Sequence, residues 1–119
     1  MKDESPDLKK RTKTYALEII DLYSSLPRTT VVQVIGKQFL RSGTSVGANF
    51  AEAHRARSNA EFVFKVGESL KELEETRYWL DLLNEASVVL PKPLNNLMDE
   101  TNQLTAILTS VSKKVQARL

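Results

Sequence analysis

Residues 41–53 read Arg-Ser-Gly-Thr-Ser-Val-Gly-Ala-Asn-Phe-Ala-Glu-Ala, a run of small and polar residues inside a stretch whose larger apolar residues recur with helical spacing. Composition by itself would make this a loop. The spacing contradicts that, because Val32, Ile35, Phe39, Val46, Phe50 and Ala53 fall on one side of a wheel turning about 100° per residue. A helix that places Ser42, Gly43, Thr44, Ser45, Gly47 and Ala48 in its middle gives up intrinsic propensity, each Gly costing roughly 1 kcal/mol against Ala. Tight packing must offset that loss. The run therefore constrains architecture, and no reaction can be read from it.

Three more helical patterns flank this one. Pro6-Asp7 resembles a helix start, and Tyr15, Ile19, Leu22, Tyr23 and Leu26 recur at helical spacing until Pro27. Thr29 or Thr30 can cap the second helix, expected from Val31 to about Ala56. Ser58-Asn59-Ala60-Glu61 has the form of a capping box and opens a third helix, expected from Asn59 to about Ala86 with Phe62, Val66, Leu70, Leu73 and Leu80 as its core stripe. Pro91 and Pro93 mark the last turn, followed by a helix with Leu94, Leu97, Met98, Thr101, Leu104, Leu108, Val111 and Val115 on one side. No run alternates with period two. The reading is an all-α, antiparallel up-and-down four-helix bundle spanning residues 7–119, preceded by a disordered tail at 1–6.

The 119 residues suffice for one domain with a real core, and 41% hydrophobic with 27% charged residues is a globular composition. The sequence contains no cysteine, hence no disulfide or thiolate chemistry. It has no apolar stretch long enough to span a bilayer, and its first ten residues lack the apolar core of a signal peptide, so a cytoplasmic location is expected. Charge is distributed unevenly. Residues 1–57 carry ten Lys/Arg against six Asp/Glu, residues 58–90 three against seven, and residues 91–119 four against two. Such asymmetry favours packing of oppositely charged helices or subunits and leaves the outer basic residues as a nucleic-acid footprint; the alternative is ordinary solvated faces.

Several residues fall outside the simple core pattern. On the third helix Phe64, Tyr78, Trp79 and Leu82 point away from the core stripe, the mixed aromatic and charged character of a subunit interface; the alternative is rings covering helix ends within a monomer. On the second helix Arg41, Ser45, Asn49 and Glu52 stack into a polar stripe, expected to form a structural network with Glu72 or Glu75 opposite Arg41, a ligand site being the other reading. A di-iron site of the ferritin kind needs paired Glu-x-x-His motifs, whereas the single histidine, His54, follows Glu52 by two residues and faces elsewhere. His54 is instead grouped with Arg55 and Arg57 in a basic cluster. No phosphate loop or nucleophile triad is present, so no metal, cofactor or enzymatic activity is expected. The nucleic-acid candidates are Lys9, Lys10, Arg11, Lys13, Lys37, Arg55, Arg57, Lys113, Lys114 and Arg118. Those at helix C-termini also complement the helix dipole without any ligand.

Arg41-Ser42-Gly43-Thr44-Ser45-Val46-Gly47-Ala48-Asn49-Phe50-Ala51-Glu52-Ala53, then Ser58 with Glu61-Phe62, then the segment from Glu68 to Thr76 and Tyr78-Trp79-Leu80, resemble a bacterial family of four-helix-bundle proteins encoded in intervening sequences of 23S rRNA genes, often labelled S23 ribosomal protein. Members usually have an Ile-Ala-Glu-Gly step where Phe50-Ala51-Glu52-Ala53 stands here. The resemblance implies a left-handed bundle that assembles as a homopentamer without enzymatic activity. It also implies kinship with the accessory variability protein of diversity-generating retroelements, which binds nucleic acid and a reverse transcriptase. Together these readings give an oligomeric scaffold contacting RNA or another nucleic acid. The alternative is a protein–protein interaction module with no nucleic-acid binding.

Overall fold

A computed structural model describes residues 5–119, which form α1 (Ser5–Ser24), α2 (Thr30–His54), α3 (Asn59–Glu85) and α4 (Pro91–Gln116), with no strand among the described residues. The connections span only residues 25–29, 55–58 and 86–90, so each helix must run back along the one before it. α4 returns beside α1 and closes an up-and-down bundle measuring 47 × 21 × 19 Å. The expected N-terminal tail falls largely on residues 1–4, outside the described residues; α1 begins at Ser5, two residues before Asp7.

Local chemistry explains the remaining helix ends. Thr29 caps α2 by accepting from the Val32 N–H at 3.4 Å. Ser58 caps α3 by accepting from the Glu61 N–H at 3.1 Å, while the Glu61 carboxylate accepts from the N–H of Arg57, one residue earlier than a capping box prescribes. The expectation that Pro91 and Pro93 lie in the turn is corrected: α4 starts at Pro91 itself. Proline at the first helical position lacks only an N–H that would have no helical partner, and its fixed φ already suits the helix.

Buried positions step by four and three along every helix. They are Leu8, Thr12, Tyr15, Ile19 and Leu22 on α1; Val32, Gly36, Phe39, Gly43, Val46, Phe50 and Ala53 on α2; Phe62, Val66, Ser69, Leu73, Thr76, Leu80 and Leu83 on α3; and Leu94, Leu97, Thr101, Leu104, Leu108, Val111 and Val115 on α4. A repeat of about 3.5 residues, shorter than the helical 3.6, is the spacing that favours a left-handed supercoil. The expected α3 stripe is corrected in one respect: Leu70 is only half-buried, and Ser69 and Thr76 occupy core positions.

Those two hydroxyls bind across the bundle. Ser69 donates to the Val46 carbonyl of α2 at 2.9 Å, and Thr76 Oγ1 lies 2.8 Å from Ser42 Oγ and 2.8 Å from the Glu72 carbonyl. Tyr15 Oη is 2.7 Å from Thr101 Oγ1; because Thr101 donates to the Leu97 carbonyl at 2.8 Å, the phenol is the donor to Thr101. Tyr15, Ser42, Thr76 and Thr101 are all fully buried, so every helix contributes at least one hydroxyl to the core. A slipped register would leave these groups facing leucine without partners, at a cost of about 1–3 kcal/mol each. They fix which layer of each helix faces which.

Burial pushes the Tyr15 phenol well above its usual range, against the opposing hydrogen bond to Thr101. Because the folded value exceeds the unfolded one of about 10, the contribution to stability is complete below that pH. It is lost as pH rises toward the folded value, by at most about 1.4 kcal/mol per pH unit. In urea unfolding followed between mildly and strongly alkaline pH, Tyr15→Phe is therefore expected to show a shallower loss of stability than the parent chain. Identical slopes would show that the phenol does not titrate with unfolding.

The small-residue run is where α1 beds onto α2. A Cβ on Gly43 would stand 2.7 Å from three side-chain atoms of Ile19, one on Gly36 would stand 2.8 Å from Leu26, and one on Gly47 would stand 3.1 Å from the Thr12 carbonyl oxygen. Glycine at these positions lets the two helices approach, which is the packing that offsets the lost helix propensity.

Candidate nucleic-acid interface

The antiparallel topology brings the start of α1, the end of α2, the start of α3 and the end of α4 to one end of the bundle. Leu8 and Val111 line one groove there, Gly47 abuts Thr12, and Lys65 pairs with Glu52 at 2.5 Å. Residues 5–14, 48–67 and 104–119, which build this end, contain ten Lys/Arg and three Asp/Glu, a formal charge of +7. Residues 15–47 and 68–103 contain six and ten, a formal charge of −4. The charge is thus separated along the long axis of the bundle rather than helix by helix.

Eight of the ten sequence candidates meet at this end as exposed residues: Lys9, Lys10 and Lys13 on α1, Arg55 and Arg57 in the α2–α3 connection, and Lys113, Lys114 and Arg118 around the end of α4. Two do not join them. Arg11 is half-buried and donates to Glu100 through Nε and Nη2 at 2.8 Å each, with a further bond to Gln103 at 2.9 Å; the hydrogen bond to Glu100 raises its pKa. It is a bolt between α1 and α4. Lys37 lies in the second turn of α2, toward the opposite end. His54 also departs from its expected grouping. It is half-buried, and its Nδ1 is buried without a hydrogen-bond partner among the described residues, while Arg55 and Arg57 are exposed.

Within the segments that build this end, the ion pairs among the described residues are Arg11 with Glu100 and Lys65 with Glu52. Arg41 pairs with Glu75 at 2.7 Å and Glu72 at 3.2 Å, and Arg77 with Glu74 at 3.6 Å. Lys9, Lys10, Lys13, Arg55, Arg57, Lys113 and Arg118 form no ion pair within the described residues. The charge of this end is therefore offered to solvent, where a phosphate backbone would meet it.

The polar stripe of α2 is spent within the fold. Arg41 reaches both expected carboxylates, the Ser45 hydroxyl donates to the Arg41 carbonyl at 2.6 Å, Asn49 Nδ2 donates to the Ser45 carbonyl at 3.1 Å, and Glu52 holds Lys65. Glu75 is held below the usual carboxylate range by the Trp79 N–H and then by Arg41, and Glu52 by Lys65. Arg41 and Glu52 clamp α2 to α3, while the Ser45 and Asn49 bonds close within α2. No group of three His, Cys, Asp or Glu able to hold a metal occurs among the described residues, and no described helix is long and apolar enough to cross a membrane.

The four aromatic and aliphatic residues on the outer side of α3 divide. Phe64 and Tyr78 are 62% and 59% exposed, whereas Trp79 and Leu82 are half-buried, Trp79 packing against the core and meeting Tyr78 edge to face at 5.0 Å. Between Phe64 and Tyr78 lies Gly67, a feature the sequence reading passed over; a Cβ there would meet nothing within 4 Å.

Bundle, buried repeat and sequence run together define a small four-helix protein of a single kind. The chain matches the family described as 23S rRNA-intervening sequence protein over residues 4–110, and it belongs to that family. It is also similar to a crystal structure of a protein of unknown function from the S23 ribosomal protein family of Bacteroides thetaiotaomicron. The two share 35% identity over 95% of this chain and 99% of that one, with a TM-score of 0.85. None of the curated proteins matches.

Proposed function

We propose that this chain is a cytoplasmic, non-enzymatic scaffold that self-associates and contacts nucleic acid, RNA or DNA, through its basic end. The observation that carries this reading is the set of seven cations without ion pairs gathered at one end, in segments whose formal charge is +7 against −4 for the remainder of residues 5–119. Cations left without carboxylate partners repel one another, and a polyanion relieves that repulsion while releasing its own counterions. The polar stripe, consumed by bonds within α2 and by the ion pairs of Arg41 and Glu52 to α3, supplies no convergent acid, base or nucleophile. The test is binding of labelled RNA and DNA at low ionic strength. Binding that falls steeply with salt is expected; no binding of either at low salt would contradict the proposal.

Self-association is supported by the outer face of α3. A solvent-facing glycine in mid-helix costs roughly 1 kcal/mol against alanine, no contact within the chain calls for Gly67, and a second helix approaching between Phe64 and Tyr78 would. The family resemblance implies five copies in the ring. Replacing Phe64 and Tyr78 together by serine is expected to convert the assembly to monomer in analytical ultracentrifugation without changing helix content. A parent chain that sediments as a monomer at high micromolar concentration would contradict self-association.

A second reading, a protein-interaction module, is favoured by one feature. At the basic end the α1/α4 seam opens into a groove of about 460 Å³ with Leu8, Ile107 and Val111 along it. A polypeptide partner held there would survive nuclease and high salt, conditions under which the nucleic-acid complex is expected to dissociate.

A further inference from the structure

The form of nucleic acid follows from the same end, and this inference rests on the nucleic-acid reading above. We infer that the basic end binds the sugar–phosphate backbone of a duplex, irrespective of sequence, in preference to single strands. Binding of single strands relies on aromatic side chains that stack successive bases. Of the eight aromatic residues in the sequence, Tyr15, Phe39, Phe50 and Phe62 are buried. Tyr23, Tyr78 and Trp79 lie in the last turn of α1 and the C-terminal half of α3, toward the acidic end. Phe64 is the one exposed ring on the basic half, on the flank of α3 with Lys65 Nζ 5.9 Å from its centroid. One ring is not a row.

Shape points the same way. Among the described residues the end is blunt, built of four helix termini and one four-residue connection on a cross-section of 21 × 19 Å, and they present no projecting helix or ribbon to lie in a groove and read base edges. What it presents is a two-dimensional spread of cations carried on helix ends. A duplex offers one charge per about 1.7 Å of axis, twice the density of one of its strands, and holds those charges in a fixed array. A flexible strand would have to be ordered across the same face, at an entropic cost the duplex has already met.

The experiment is fluorescence anisotropy with the full chain and four probes: an RNA duplex, a DNA duplex of the same sequence, a constituent single strand of each, and a repeat set of unrelated sequence. Duplexes are expected to bind at least about 10-fold tighter than their strands, and unrelated sequences to agree within about 3-fold. Engagement of about four cations gives a loss of about 100-fold in duplex affinity between about 50 and 200 mM salt. The RNA and DNA arms show which duplex source is preferred, either being a backbone ligand. Single strands binding as tightly as duplexes, or a sequence preference above about 10-fold, would overturn the inference and leave nucleic-acid binding standing. Failure of every probe to bind at low salt would overturn both.

Discussion

Gly43→Leu is expected to destabilise the bundle by about 3 kcal/mol, the upper part of the range for overpacking a core. The first added atom already stands 2.7 Å from Cδ1, Cγ1 and Cγ2 of Ile19, and Ile19 is fully buried with no room to swing aside. Three more carbons then have to enter the α1/α2 seam, so the helices must separate and loosen the contacts of Gly36 and Gly47 as well. The gain in helix propensity, roughly 1 kcal/mol, offsets only part of this. Gly67→Ala makes the opposite case: its Cβ meets nothing, and the same propensity should raise the stability of the isolated subunit by up to about 1 kcal/mol. Urea unfolding followed by circular dichroism measures both. A Gly43→Leu chain as stable as the parent would mean that α1 does not rest on the glycines of α2.

Reversing three charges at the basic end is expected to lower nucleic-acid affinity by about 100-fold or more at low salt. Lys9, Lys10 and Lys13 are exposed and form no ion pair among the described residues, so their replacement by glutamate removes phosphate contacts without breaking an internal bond. The formal charge of that end falls from +7 to +1. Stability should stay within about 0.5 kcal/mol of the parent, as for surface changes elsewhere. Arg11 is deliberately spared, because removing it would strand Glu100 and report on the α1–α4 junction instead. The matched control reverses Arg28, Lys37 and Lys92, which lie toward the other end, and is expected to change affinity by less than about 3-fold. Equal effects from the two triples would mean that net charge, and not the basic end, governs binding.

The helices were readable from the sequence because apolar spacing, prolines and the threonine and serine caps agree over long stretches. What periodicity could not show is that polar residues fill core positions. Ser69 and Thr76 read as surface until their partners, the Val46 carbonyl and Ser42, are placed opposite them. The Arg41 clamp was legible because charge complementarity needs only the neighbouring helix, and both carboxylates expected for it are engaged. The basic end was half legible. Its residues stood out as cations, but Lys9, Arg57 and Lys113 are far apart in the chain, and only the antiparallel return of each helix gathers them. Arg11 illustrates the converse, since its partner Glu100 lies 89 residues away and nothing local distinguishes it from Lys10. Gly67 carried a signal that could have been found, a glycine on the polar side of a helix, where neither a turn nor a core contact requires one.

On the proposed reading, a folded bundle meets nucleic acid with one end. Photo-cross-linking of a bound duplex, followed by mapping of the adducts by mass spectrometry, tests this most directly. Adducts are expected on Lys9, Lys10, Lys13, Arg55, Arg57, Lys113 and Arg118; adducts concentrated instead on Arg28, Lys37, Lys71 and Lys92 would contradict the account.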